Sequence, residues 1–204
     1  MLTREDQTIA DARHALTEII PDLPIESMKG LFRDAGDAAL YAARRREDQT
    51  LAREMSPVLR GWCDDERSQA LLADDPTLLD VAFEKVETAG IDLWQTERSL
   101  SLLAAYGRVP VGAPRLDALV AWAEPRGLRP LLAQVLRLRA RLNQSVEDAR
   151  RARSLLVECG MRADAALAAV ELASLGDRSH LAAAREVLET LGDRVGLATV
   201  DALG

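Results

Sequence analysis

The sequence predicts an all-α protein, antiparallel helix hairpins stacked as a right-handed superhelix, and three observations lead there. Gly90, Gly127, Gly160 and Gly192 each end an apolar helical stretch, and three of them open one phrase: Gly127-Leu-Arg129, Gly160-Met-Arg162 and Gly192-Asp-Arg194, at spacings of 33 and 32 residues. Each phrase has an alanine six residues after its glycine, Ala133, Ala166 and Ala198. Repetition at that period marks stacked two-helix units, because one hairpin cannot bury its apolar face alone. The glycines also have a conformational task, since a helix stops readily at a residue in the left-handed region, which costs glycine nothing. Ile91, Leu128 and Met161 then stand where an apolar residue folds back on the last turn; Asp193 does not fit. Finally, aromatic residues are few (Phe32, Tyr41, Trp62, Phe83, Trp94, Tyr106 and Trp122), and a β-sandwich or barrel would use more aromatic and β-branched side chains.

Taken in order, the helices justify themselves as follows. Thr3 caps a first helix, with Asp6 completing an approximate capping box and Ile9, Ala12, Leu16 and Ile19 on one face. Pro21 and Pro24 interrupt it. A second helix, about 26–46, carries Met28, Leu31, Phe32, Ala35, Ala39 and Ala42 at helical spacing. It ends on Arg44, Arg45 and Arg46, cations that offset the negative end of a helix dipole. A third spans about 48–62, with a kink or restart expected near Ser56 because Pro57 lacks an amide proton. The acidic stretch 64–75 joins an N-terminal helical cap, residues 1–75, to the repeats of 76–204. Asp75-Pro76 restarts helix formation, and helices follow at about 92–106, 113–125, 128–142, 146–159, 162–175, 178–191 and 194–203. Their short connections make neighbours antiparallel, and cap and repeats can form one continuous array.

Composition narrows the function classes. A net charge of −7 argues against a general affinity for nucleic acid or anionic membrane. Arginines number 24 against only Lys29 and Lys85, which reads as GC-rich coding in a bacterial source. Cys63 and Cys159 lie far apart without a CxxC or Cys/His cluster, so two buried reduced thiols are expected. No charged and then apolar leader opens the chain, and no stretch approaches the ~20 apolar residues that span a bilayer. A soluble cytoplasmic protein is expected.

The stretches 89–100, Ala-Gly-Ile-Asp-Leu-Trp-Gln-Thr-Glu-Arg-Ser-Leu, and 123–136, Ala-Glu-Pro-Arg-Gly-Leu-Arg-Pro-Leu-Leu-Ala-Gln-Val-Leu, carry a family likeness. The region from about Pro76 to Leu142 resembles the tetratricopeptide-like repeats of bacterial LuxR-type regulators and related signalling ATPases. In that family such repeats stand between an ATPase module and a DNA-binding helix-turn-helix and bind partners or inducers. The resemblance implies roles in signalling and transcription regulation. No GxxxxGK[ST] loop and no helix-turn-helix with a basic recognition helix occurs in this chain, and the strict tetratricopeptide pattern is not kept. The likeness therefore concerns the repeats alone, as a stand-alone module or as part of a longer protein.

Candidate site residues follow from charge and apolar pattern. Eight arginines fall between 126 and 153 against only Glu147 and Asp148. Arg129, Arg137, Arg141, Arg150 and Arg153 are the candidates to line a groove for an acidic partner. The plainer alternative pairs them with acids of neighbouring repeats such as Glu171 or Asp164. No aromatic lies within that segment to stack nucleic-acid bases. Trp94 and Trp122 are candidate contact residues or core. Val195, Leu197, Val200 and Leu203 make the C-terminal helix too apolar for a free edge, so a homodimer or a docking element is expected there. His14 and His180 lack ligand spacing, and Asp64, Asp65, Glu66, Asp74 and Asp75 fit no EF-hand loop, so neither metal nor cofactor is expected. No catalytic constellation is present in linear sequence. Three functions remain open: an interaction scaffold for a partner protein or peptide, a small-ligand sensor of a regulator, and a helical-fold enzyme, the scaffold being favoured.

Overall fold

The computed structural model describes residues 29–60 and 113–204, with Gln69, Ala73, Leu100, Leu103 and Ala104 between them. The expected first helix, Gly90, Trp94, Tyr106, Cys63, the acidic stretch near Asp64 and Asp74, and the Pro76 restart lie outside the described residues. Among these, all regular structure is helical: α1 (Lys29–Arg45), α2 (Gln49–Arg60), α3 (Ala113–Ala123), α4 (Arg129–Asn143), α5 (Val146–Glu158), α6 (Arg162–Ser174), α7 (Leu181–Leu191) and α8 (Arg194–Leu203). None is long and apolar enough to cross a membrane.

The glycine phrases end helices as the sequence predicts. Gly127, Gly160 and Gly192 have φ of 65°, 71° and 68°. At each, the amide after the glycine reaches back five residues: Leu128 to Ala123, Met161 to Leu156 and Asp193 to Leu188, at 3.2, 2.9 and 2.9 Å. The glycine amide reaches back three, so two carbonyls that the helix leaves open are satisfied. Gly176 closes α6 in the same way. The stops between the phrases use other residues. Glu47 (φ 55°) ends α1 and Gln144 (φ 53°) ends α4, each adopting the left-handed conformation with a Cβ present.

Helix starts are equally local. The Asp48 carboxylate accepts from Leu51 N at 2.9 Å and opens α2. Ser145 accepts from Asp148 N at 3.2 Å and opens α5, whose first turn holds Glu147 and Asp148 against the positive end of the dipole. The restart considered near Ser56 does not occur: α2 continues to Arg60, and the Ser56 hydroxyl donates to Ala52 O at 2.6 Å.

The hairpins pack in chain order: α3 on α4, α4 on α5, α5 on α6, α6 on α7 and α7 on α8. Alternate helices also touch, α4 with α6 and α6 with α8. Alanine permits the close approach. Ala133 meets Leu156, Ala165 and Ala168, and Ala166 meets Leu188 and Val200 through Ala169 and Val170. The third alanine of the phrase, Ala198, is exposed.

Residues on both sides of the acidic stretch share one core. Leu40 and Ala43 of α1 and Leu51 and Ala52 of α2 join Leu116, Leu131, Val135 and Leu136. Each buried leucine is worth about 2 kcal/mol of apolar transfer, which makes α1 an integral layer of the fold. It also touches α8, 148 residues away in sequence.

Candidate partner-binding site

The arginine cluster divides between the interior and the surface. Arg137 is fully buried, so it lines no groove. Its Nη2 donates to Glu171 at 2.6 Å and its Nη1 to Asp164 at 3.0 Å and Gln134 at 2.8 Å. Burial works against the charge, but Glu171, by charge and hydrogen bond, and Asp164 outweigh it and hold the guanidinium above its ordinary pKa. Arg141 shares Glu171 at 2.5 Å; burial lowers its pKa, and Arg137 beside it adds to the shift. Arg139 clamps Asp148 through both Nε and Nη2 at 2.7 Å.

The remaining pairs lie nearer the surface. Arg150 holds Asp177, whose carboxyl stays well below the usual range through Ser179 and Arg150. Arg151 holds Glu124, and Arg129 holds Glu158 at 3.4 Å. Exposed pairs of this kind stabilise by less than about 1 kcal/mol each. Arg126 stands over the Trp122 ring, 4.9 Å from its centre, and Trp122 packs on the core below. Thus the alternative partners weighed from sequence, Glu171 and Asp164, are the ones Arg137 has. Full burial removes Arg137 from any groove, while Arg141 is largely shielded beside Glu171 and Arg150 stays exposed in its pair with Asp177.

Arg153 is different. It has no ion pair among the described residues and borders a cleft of about 170 Å³ between α5 and α7, floored by α6. Ala165, Ala166 and Ala169 line the floor, Ala184 of α7 and the half-exposed Val157 of α5 stand at the walls, and Arg162 and His180 complete the rim. Among the described residues, no carboxylate lines the cleft. Arg162 and His180 were not singled out as a site from sequence, although Arg162 is the arginine of the second glycine phrase.

The C-terminal residues separate as well. Val200 is buried against Leu188 and Val170, so it offers nothing to a partner. Val195 is exposed, and Leu197 and Leu203 are half-buried against the same core. The inner side of this helix is met by α1: Arg45 donates to Asp193, and Arg46 Nε donates to Leu191 O at 2.9 Å. The three arginines at the end of α1 therefore do more than offset a dipole; two of them hold the turn between α7 and α8. Cys159, expected buried, is half-buried. Among the described residues, no group of three or more His, Cys, Asp or Glu is placed to hold a metal ion.

Compared with known proteins, the chain matches no family model, no curated protein and no solved structure.

Proposed function

We propose that the chain is a non-catalytic, tetratricopeptide-like helical-repeat module, a right-handed stack of antiparallel hairpins, that binds a partner protein or peptide in a regulatory or signalling role. The observation that carries this reading is the cleft between α5 and α7. It is open, apolar at its floor and cationic at its rim, in a chain whose other central arginines are tied internally. Among the described residues, α1 packs against the core shared with α3 and α4 and touches α8, whereas the cleft between α5 and α7 stays open. Its small size also favours a second reading, a sensor for a short apolar acid.

The test places a photo-reactive residue at Val157 of the full chain, expressed in the cells it comes from. A discrete cross-linked protein is expected from Val157 and none from the same group at Thr190. A melting shift of several degrees with a small carboxylic metabolite, and no protein cross-linked at Val157, would replace the scaffold by the sensor.

A further inference from the structure

We infer that the cleft between α5 and α7 recognises an acidic peptide segment of a partner protein, which seats one apolar side chain on the alanine floor and sets carboxylates against Arg153 and Arg162. The inference rests on the interaction-module reading and names its ligand class.

Size speaks first. About 170 Å³ is below the ~300 Å³ at which pockets for drug-sized ligands and cofactors begin, and suits a single large side chain. The walls are shaped for one: four alanines leave the depth, and Val157, 55% exposed, offers an apolar edge with no cover among the described residues. Charge speaks second. The chain carries −7 overall, yet among the described residues two arginines and a histidine border this cleft and no acid does. Of the acids close by in sequence, Asp164 pairs with Arg137, Glu158 with Arg129 and Asp177 with Arg150, and Glu186, beside Val187, is exposed and does not line the cleft. Guanidinium groups free of internal partners are the natural receivers of carboxylates, which they bind through paired N–H donors. A nucleic acid is disfavoured because no aromatic side chain lines the cleft to stack a base.

Random twelve-residue peptides displayed on phage are selected on the full chain, and the winning peptide is then made with a fluorescent label. The expected consensus has Asp or Glu flanking one Leu, Phe or Trp. Binding should weaken at least tenfold between low and high salt, as pairing of opposite charges requires. Arg153→Glu with Arg162→Glu should weaken it more than tenfold, and Ala183→Trp, at an exposed rim position, should abolish it by filling the cleft. Circular dichroism of each variant should match the parent. A basic or uncharged consensus, or binding that survives both variants, overturns the inference and leaves the interaction module standing at another surface. If no peptide is selected and octanoate raises the melting temperature by several degrees, both readings fall.

Discussion

Arg45 and Asp193 join the first described helix to the last turn of the array: Nε and Nη2 of the guanidinium donate to one carboxylate oxygen at 3.0 and 2.8 Å. Asp193 is the residue that breaks the apolar pattern of the glycine phrases, and its place explains why. It is nearly buried, its other oxygen accepts from Gly196 N at 2.7 Å to open α8, and it receives α1. Gly196 leaves the room: a Cβ there would stand 3.1 Å from both Arg45 Nη2 and Asp193.

The two tasks of Asp193 can be separated. Asp193→Asn keeps a good cap and removes the charge facing Arg45, at an expected cost of about 2 kcal/mol for a largely desolvated pair. Asp193→Ala loses the cap too, adding about 1 kcal/mol. In a urea-unfolding cycle, Arg45→Met with Asp193→Asn should show coupling above ~1 kcal/mol. Strict additivity would mean that the pair contributes nothing to holding α1.

The glycine phrase makes a backbone prediction. Among the described residues, apart from its chain neighbours, no heavy atom lies within 4 Å of a Cβ placed at Gly160, so it is the φ of 71° that opposes substitution. Gly160→Ala should destabilise by about 1 kcal/mol and Gly160→Val by more, in equilibrium unfolding. A neutral or stabilising Gly160→Ala would place that residue in ordinary helical conformation.

Tyr41 predicts a pH dependence. Burial raises the pKa of its phenol well above 10, and Arg45 only partly opposes the shift; Asp164 and Asp193 reinforce it. A folded pKa above the unfolded one means that the neutral phenol is favoured in the fold. This stability is complete below about pH 10 and is lost as pH rises toward the folded value. In a Tyr106→Phe background, phenolate absorbance should stay absent at pH 10.5 while the protein is folded and appear together with unfolding at higher pH. Ionisation at pH 10 in the folded chain would contradict the enclosure of Tyr41.

What the sequence made legible is what neighbouring residues decide. A glycine followed by an apolar residue stops a helix by local geometry, so Gly127, Gly160 and Gly192 announced their turns. Gln144 and Glu47 gave no such signal, because a left-handed residue with a Cβ is held by the chain around it. Pro57 does not restart the helix, which runs on through it to Arg60. The ion pairs of Arg137 lie 27 and 34 residues away, about one repeat, and the period made Asp164 and Glu171 visible partners. The docking of Arg45 on Asp193 has no local trace, and neither has the cleft, whose rim is set by the spread of α5 from α7.

The central claim is a division of labour among the arginines: Arg137 joins α4 to α6 from within, whereas Arg153 and Arg162 have no ion pair among the described residues and are proposed to meet a partner. Thermal unfolding of three single variants, Arg137→Glu, Arg153→Glu and Arg162→Glu, tests it most directly. Reversal at 137 sets a third carboxylate beside Asp164 and Glu171 in a buried position, where losing even one partner costs about 3–5 kcal/mol, so that melting transition should collapse. Arg153→Glu and Arg162→Glu should melt within a degree or two of the parent. A parent-like melt for Arg137→Glu, or a collapse for both rim variants, would contradict the account.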